Sequence, residues 1–409
     1  MTRTDIKTAL FVAYKTIVNG HISSAILIVF ILSLSFFNLM FVSGFLSGFS
    51  DGIMRSMIDT STAHLIVLPQ EKPFQKEYIV DQSSVRARIE TIPGVTGTTR
   101  HYLLGGTFAY DKDHTGTFSY VSAPLIGITQ LEEKKIMTVR ENIVAGGFPD
   151  VLRDDEIIIG ANLSGGYGTK QTTDLGGVRV GDTVQVTYAQ GFMRTYTVKG
   201  IFKISMGSAG NSAFISAQEA EAVLSTYNTA SEILVRTDLK RYSLDEYATR
   251  IHTLFPELTV EKYTTRLSTV GILVSAFNII ALIVSVISII VSAITIFVMI
   301  YVHAISKRRQ IGILKAIGIK ESIIELSYVV QSLFYSILGI LCGLAIIFWF
   351  VTPFLTIRPI IMPYGATELV YTSLGITINI MSSIIAGLLA GFIPAKLVAR
   401  ENILTSIWG

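Results

Sequence analysis

The 409-residue sequence holds one cysteine, two tryptophans, ten prolines and only 15% charged residues. The single Cys342 cannot form an intramolecular disulfide, so any part of the chain on the oxidising side of a membrane must fold on its own core. No Walker A sequence is present, which argues against ATP held by the usual Gly-rich cradle. "LSGGYG" at 163–168 looks like part of a nucleotide-binding signature, but it lacks partner motifs and reads as a Gly-rich loop. No HExxH occurs and the six histidines are scattered, so no metal site and no cofactor are expected on this chain. His64, in a strand-like stretch, reads as packed or hydrogen-bonded. A formal charge of +3, without a basic stretch carrying interleaved aromatics, argues against nucleic acid as a partner.

What the sequence has in excess is apolar length. Half of it is hydrophobic, the mean hydropathy is +0.55, and 22–50, 267–302, 326–357 and 369–395 each lack any Asp, Glu, Lys or Arg. Each exceeds the roughly 20 residues that a spanning helix needs. The first is too long for a signal-peptide core and reads as a retained anchor. A proton- or ion-driven carrier keeps ionisable groups within its spans, and these runs have none. Asn38, Asn278, Gln331 and Asn379 read instead as hydrogen-bonding residues between helices.

Basic residues set the orientation. Arg3, Lys7 and Lys15 precede the first run, five Lys and Arg between 307 and 320 separate the second and third, and Lys396 and Arg400 follow the fourth. The positive-inside rule then puts both termini in the cytoplasm and 51–266 outside. That outer segment carries 22 of the 33 basic and 25 of the 30 acidic residues. It is net −3 and the remainder net +6, the sign split of a translocated domain on a cytoplasmically anchored chain. The expected organisation is an interfacial helix at 1–20, a first span at 21–50, an outer domain at 51–266 and a second span with its stalk at 267–303. A cytoplasmic helix at 304–323, a third span at 324–356, an outer loop at 357–370, a fourth span at 371–397 and a tail at 398–409 complete it. The fold class is an α+β membrane protein: four transmembrane helices with one large extracytoplasmic α+β domain inserted between helices 1 and 2.

Within the outer segment, alternation points to short strands at 63–69, 155–160, 183–188, 196–202 and 213–216, with a hairpin turning at Gly191. Helical spacing marks 82–91, 217–225 and 244–255, the second behind a Ser216 cap. Along the second span Ser275, Asn278, Ser285 and Ser292, together with Ser268, Gly271, Ser288 and Thr295, form a small and polar seam that admits another helix. Gly44/Gly48, Gly339/Gly343 and Gly387/Gly391 are GxxxG pairs, expected to serve helix packing, with at least one facing a second transmembrane subunit. Ile6, Leu10, Ala13, Tyr14 and Ile17 share one face of an interfacial helix against membrane lipid.

The most informative stretch is "SKRRQIGILKAIGIKESII" at 306–324. Physically it is a short amphipathic helix, with Ile311, Leu314 and Ile317 on one face and the basic residues toward headgroups or a protein beneath. Its pattern Arg308, Arg309, Ile311, Gly312, Leu314, Lys315, Ala316, Gly318 resembles the coupling segment of the FtsX-like ABC transporter permeases, the group containing the MacB and LolC/LolE types. "GFSDGIMRSMIDTSTAHLIV" (48–67), "VGDTVQV" (180–186), "TVKGIF" (197–202), "SAQEAEAVL" (216–224) and "GFIPAKLVAR" (391–400) fall where that family has matching segments.

The resemblance implies a non-enzymatic permease, dimeric with itself or a relative, in the bacterial inner membrane. A cytoplasmic ABC ATPase subunit, which holds the ATP and Mg, is the implied partner. It implies mechanotransmission to an envelope substrate, lipoprotein release first, possible alternatives being MacB-like efflux of peptides or small molecules and FtsX-like regulation of an envelope hydrolase. A lipoprotein substrate or an envelope adaptor would then be further partners. The chaperone-binding hook of one lipoprotein-releasing permease would fall between the hairpin strands, where this chain has only 189–193.

Overall fold

The computed structural model describes residues 3–18, 22–70, 77–167, 174–204, 209–266, 268–362 and 365–399. Gly168 of the Gly-rich loop, Arg400 and most of the expected tail lie outside the described residues. Along the chain the described helices are α1 (Arg3–Val18), α2 (Ile22–Met57), α3 (Gln82–Glu90), α4 (Gln130–Ile136), α5 (Ala161–Ser164), α6 (Ala217–Leu224), α7 (Leu244–Leu254), α8 (Tyr263–Arg266), α9 (Ser268–Ser306), α10 (Arg308–Ala316), α11 (Glu321–Ala345), α12 (Thr352–Ile357) and α13 (Ser373–Ala399). The strands are β1 (Leu65–Pro69), β2 (Ile79–Val80), β3 (Val95–Tyr110), β4 (Ser119–Ile128), β5 (Ile143–Gly146), β6 (Glu156–Gly160), β7 (Thr183–Tyr188), β8 (Met193–Phe202), β9 (Ala213–Ser216), β10 (Thr229–Ala230), β11 (Glu232–Thr237), β12 (Leu258–Lys262), β13 (Ile360–Met362) and β14 (Gly365–Thr367). They divide into a β-rich unit, Gly52–Ile272 with Met362–Gly365, and a helical unit made of the rest.

The β-rich unit is built on a ten-stranded sheet of order β12-β1-β11-β3-β4-β9-β6-β8-β5, with β7 pairing β3 and β8 off that path. Both faces are covered, so its strands read as continuous apolar runs. In β6, Ile157 and Ile159 enter one cluster with Tyr102, Phe108, Leu125 and Val198, while Ile158 joins Phe202, Phe214 and Leu234 on the other side. β1 divides likewise, Leu65 and Val67 against α3 and α7 residues and Ile66 opposite, as the two-residue period of a strand requires. Ser216 Oγ accepts the Glu219 N–H at 2.9 Å at the start of α6, and Ser243 with Glu246 makes a full capping box on α7. The 183–202 hairpin forms as β7 and β8, in register from Thr183–Thr197 to Thr187–Met193.

The largest ribbon was not among the expected strands. β3 and β4 pair over ten residues, His101 with Ile128 through Tyr110 with Ser119. Even-numbered Tyr102, Leu104, Phe108 and Tyr110 point into the core. Gly105 and Gly106 interrupt that alternation and weaken the strand signal. At Gly106 any Cβ would run into Val186 and Leu125, so the glycine is what lets β7 lie against β3.

In the helical unit, Ala25–Thr62, Ser275–Ser306, Glu321–Ile357 and Ser373–Leu397 are each long and apolar enough to cross a bilayer. The protein is α+β, with the β-rich unit falling between the first and second of these helices in chain order. At about 1.5 Å per residue, α2 and α9 run for over 50 Å, well beyond a hydrocarbon core of about 30 Å. α1 packs on α11 through fully buried Ala9 and Ala13, and turns Ile6, Leu10, Phe11, Tyr14 and Val18 outward. Ala13 therefore leaves the outward face expected for it, because a small residue is what permits close approach to a neighbouring helix.

Candidate functional site

α10 is held at both ends by backbone geometry. Its first turn closes when the Ile311 N–H donates to Lys307 O at 3.0 Å. At its end Gly318 N–H donates to Lys315 O at 3.0 Å and Ile319 N–H to Leu314 O at 3.1 Å, the paired bonds of a Schellman stop. Gly318 sits at φ +94° with nothing within 4 Å of where a Cβ would lie. Its backbone conformation thus ends the helix.

The structure divides the predicted face of this helix. Ile311 is buried in a cluster with Ile28, Ile300, Ala304 and Tyr328, and Gly312 is buried beside it. Leu314 is half-buried. Ile317 is 70% exposed and Ile313 49%. Steps of three residues fall short of a 3.6-residue turn, so the series 311, 314, 317 drifts round the helix by roughly 60° each time and delivers Ile317 outside. Arg309, Gln310, Ile313, Ala316 and Ile317 are the exposed residues of α10 and its end. The backbone of Arg308 lies in the first turn. Lys315 is not directed outward: its ammonium pairs with Glu321 at 2.8 Å and its side chain is only 8% exposed, which ties α10 to the start of α11. The outward face is therefore two isoleucines beside one arginine.

The glycine pairs are occupied within the chain. Cβ atoms on Gly339 and Gly343 would collide with Leu32, Ser33 and Phe36 of α2, and those on Gly387 and Gly391 with Ser336 and Ser332 of α11. Gly44 meets the Tyr371 ring and Gly48 the Glu368 carbonyl. Where a glycine pair was expected to meet a second subunit, residues of this chain fill the notch. Of the α9 seam, Ser288 is buried and donates to Asn38 Oδ1 at 2.9 Å, with Ser35 Oγ donating to Ser288 O at 3.0 Å. Ser285 and Ser292 are half-buried, whereas Ser275 and Asn278 are exposed. Asn379 reaches Met40 Sδ at 3.4 Å, and Gln331 bonds within its own helix to Ser327 O.

On the β-rich unit, the chain's entry and exit are joined to each other. A π-helical turn, Ile58–Thr62, leads into β1, and β12 leads into α8. β1 and β12 pair antiparallel from Leu65–Lys262 to Pro69–Leu258. Asp59 in the π-helical turn pairs with Arg236 of β11 at 2.6 Å. Glu232, on the same strand, accepts from Arg266 of α8 at 3.0 Å. Behind it lies buried His101, with Nε2 3.0 Å from Glu133 and Nδ1 3.5 Å from Glu232. Burial alone would lower the pKa of this imidazole, but the charges and hydrogen bonds of Glu133 and Glu232 hold it up at about 10. Its imidazolium form faces both carboxylates, with the closer contact on Glu133. His64 is its opposite: burial and the Arg236 charge lower its pKa, and Nδ1 accepts the Thr237 N–H at 3.0 Å. That is the hydrogen-bonded reading of His64.

Other buried or half-buried carboxylates of this unit are held by hydroxyl and guanidinium partners. Glu219 receives the Tyr196 hydroxyl at 2.8 Å, and Glu221 receives Tyr102 at 2.6 Å and Arg100 at 3.0 Å. Ser164 to Gly166 form a turn with both glycines at positive φ, whose carbonyl at Ser164 accepts from Gly177 and Val178. Among the described residues no group of three or more His, Cys, Asp and Glu could hold a metal ion.

Residues 282–403, which contain α10, α11 and the latter part of α9, match the family model described as FtsX-like permease C-terminal. That stretch of the chain is similar to the C-terminal part of the FtsX-like permeases. No curated protein matches it. Among solved structures, the periplasmic region of MacB from Actinobacillus actinomycetemcomitans is similar at 10% identity and TM-score 0.36, covering 54% of this chain and 97% of that one. The extracellular domain of the noncanonic ABC-type transporter YknZ from Gram-positive bacteria is similar at 15% identity and TM-score 0.33, covering 49% and 100%. A domain of a permease protein from Porphyromonas gingivalis gives 16% identity and TM-score 0.30, covering 50% and 87%. The family match covers residues 282–403, and the four long apolar helices among the described residues mark a multi-pass membrane protein.

Proposed function

We propose that this chain is an FtsX-like permease, the transmembrane subunit of a dimeric ABC transporter of the bacterial inner membrane. It would couple ATP hydrolysis on a separate cytoplasmic subunit to release or translocation of an envelope substrate, lipoprotein in the first instance. The observation that carries the reading is the outward face of α10. Ile313 and Ile317 lie exposed beside Arg309 on a short helix whose other side is built into the helical core through Ile311. A membrane-surface helix would also expose apolar side chains. What favours a protein partner is the rigid seat: the Schellman stop and the Lys315–Glu321 pair fix α10 to α11, so a push on α10 is passed on.

In this reading movement reaches the β-rich unit, placed outside the membrane, through α2 and α9. The β1–β12 pairing and the two ion pairs on β11 tie the roots of those helices together. Relative motion of the two roots would then shear one strand pair and load the His101 cluster. No substrate need traverse a pore. The β7–β8 hairpin closes tightly, the Tyr188 N–H donating to Phe192 O at 3.0 Å, so hand-over to a carrier protein would use another surface. The test is whether a separate ATPase co-purifies with the chain, and whether that contact requires Ile313 and Ile317.

A further inference from the structure

Three glycine pairs open notches in the helical unit, and their occupants differ in kind. α11 offers Gly339 and Gly343 to α2, and α13 offers Gly387 and Gly391 to α11. Both are helix on helix, the ordinary use of small residues at this spacing. The notch on α2 holds no helix. Gly44 and Gly48 receive residues 368–371, irregular backbone that leads into α13. The Glu368 carbonyl lies where a Gly48 Cβ would be, and the Tyr371 ring lies over Gly44. The Val370 N–H donates to Gly44 O at 3.1 Å. Tyr371 then packs against Phe348, ring centroids 5.7 Å apart, beside buried Phe36, Leu39 and Met40 of α2. The contacts thus form a closed circuit: α2 on α11, α11 on α13, and the lead-in to α13 back on α2.

We propose that residues 368–371 are a strap that locks the C-terminal end of α2 to α13, so that α2, α11 and α13 move as one body. A backbone carbonyl and a main-chain hydrogen bond meet α2 only because positions 44 and 48 lack side chains. Any side chain at Gly48 displaces the strap, and loss of the Tyr371 ring removes its wedge. The strap stands on the geometry of the helical unit alone and holds whether or not an ATPase drives the chain.

The test is amide hydrogen exchange on the full chain in detergent, following peptides over 42–52, 366–372 and 378–390. The native chain protects Val370. In the Tyr371→Ala and Gly48→Leu variants the 366–372 and 42–52 peptides should exchange together at least tenfold faster, while 378–390 stays at its native rate. Tyr371→Ala adds no bulk to α2 and serves if Gly48→Leu does not fold. Rapid native exchange at Val370, or faster exchange of 366–372 in Tyr371→Ala with 42–52 unchanged, would overturn the strap.

Discussion

Replacing His101 with Gln should destabilise the β-rich unit more than any surface change, because it strips the shared cation from two buried carboxylates. Glu133 and Glu232 are 2% and 4% exposed. Breaking a buried pair by removing one partner typically costs about 3–5 kcal/mol. Glu232 keeps Arg266 and Glu133 keeps the Thr99 hydroxyl at 3.2 Å, so the lower end, about 3 kcal/mol, is expected. For a unit of this size that corresponds to a fall in Tm of roughly 6–12 °C.

The pH dependence has a definite sign. His101 has a folded pKa of about 10, above its unfolded value, so its contribution is complete below about pH 6.5 and fades as pH rises through 10. The gap between native chain and variant should close over that range. Thermal unfolding of the full chain in detergent, read from exchange of β3 and β11 peptides between pH 6 and pH 10.5, measures both effects. A His101→Gln variant within about 1 °C of native at pH 7, or a gap unchanged at pH 10.5, would refute the imidazolium.

Two further outcomes are expected. In a Cys342→Ser background, a cysteine replacing Thr115, on the exposed loop between β3 and β4, should react with an impermeant maleimide from outside intact cells while one replacing Arg309 should not; reversed labelling would invert the topology. Gly318→Val should cost about 1–2 kcal/mol, because a side chain is forced into the left-handed region, and should speed exchange of the Ile319 amide roughly tenfold; unchanged exchange would mean the Schellman stop is not what ends α10.

The four apolar helices were legible because lipid allows almost no charge over a span, and 22–50 or 326–357 state this residue by residue. The β7–β8 hairpin and α6 were legible because turn chemistry and a Ser cap act locally. β3 and β4 were not, since Gly105 and Gly106 blur the alternation and their partner β7 lies some 80 positions on. The site was half legible. The Arg308–Gly318 pattern drew attention to α10, but which isoleucine faces out depends on how Ala304 and Tyr328 pack around Ile311, a tertiary fact. The glycine pairs announced close approach without naming the occupant, and nothing in 368–371 marks it as what fills the Gly44 notch. The His101 cluster draws on β3, α4, β11 and α8, with its members up to 165 positions apart, which no local pattern conveys.

The central claim is that α10 couples this chain to a separate ATPase. The most direct measurement is co-purification from membranes of any ABC ATPase with the chain, for the native chain and for Ile313→Asp with Ile317→Asp. Burying an isoleucine is worth about 1.5–3 kcal/mol, so two partly exposed ones supply about 3 kcal/mol, and a buried carboxylate adds a penalty. The account predicts ATPase retained by the native chain and lost by at least a hundredfold in affinity from the double variant, which still inserts and folds. Undiminished ATPase retention by that variant would contradict it.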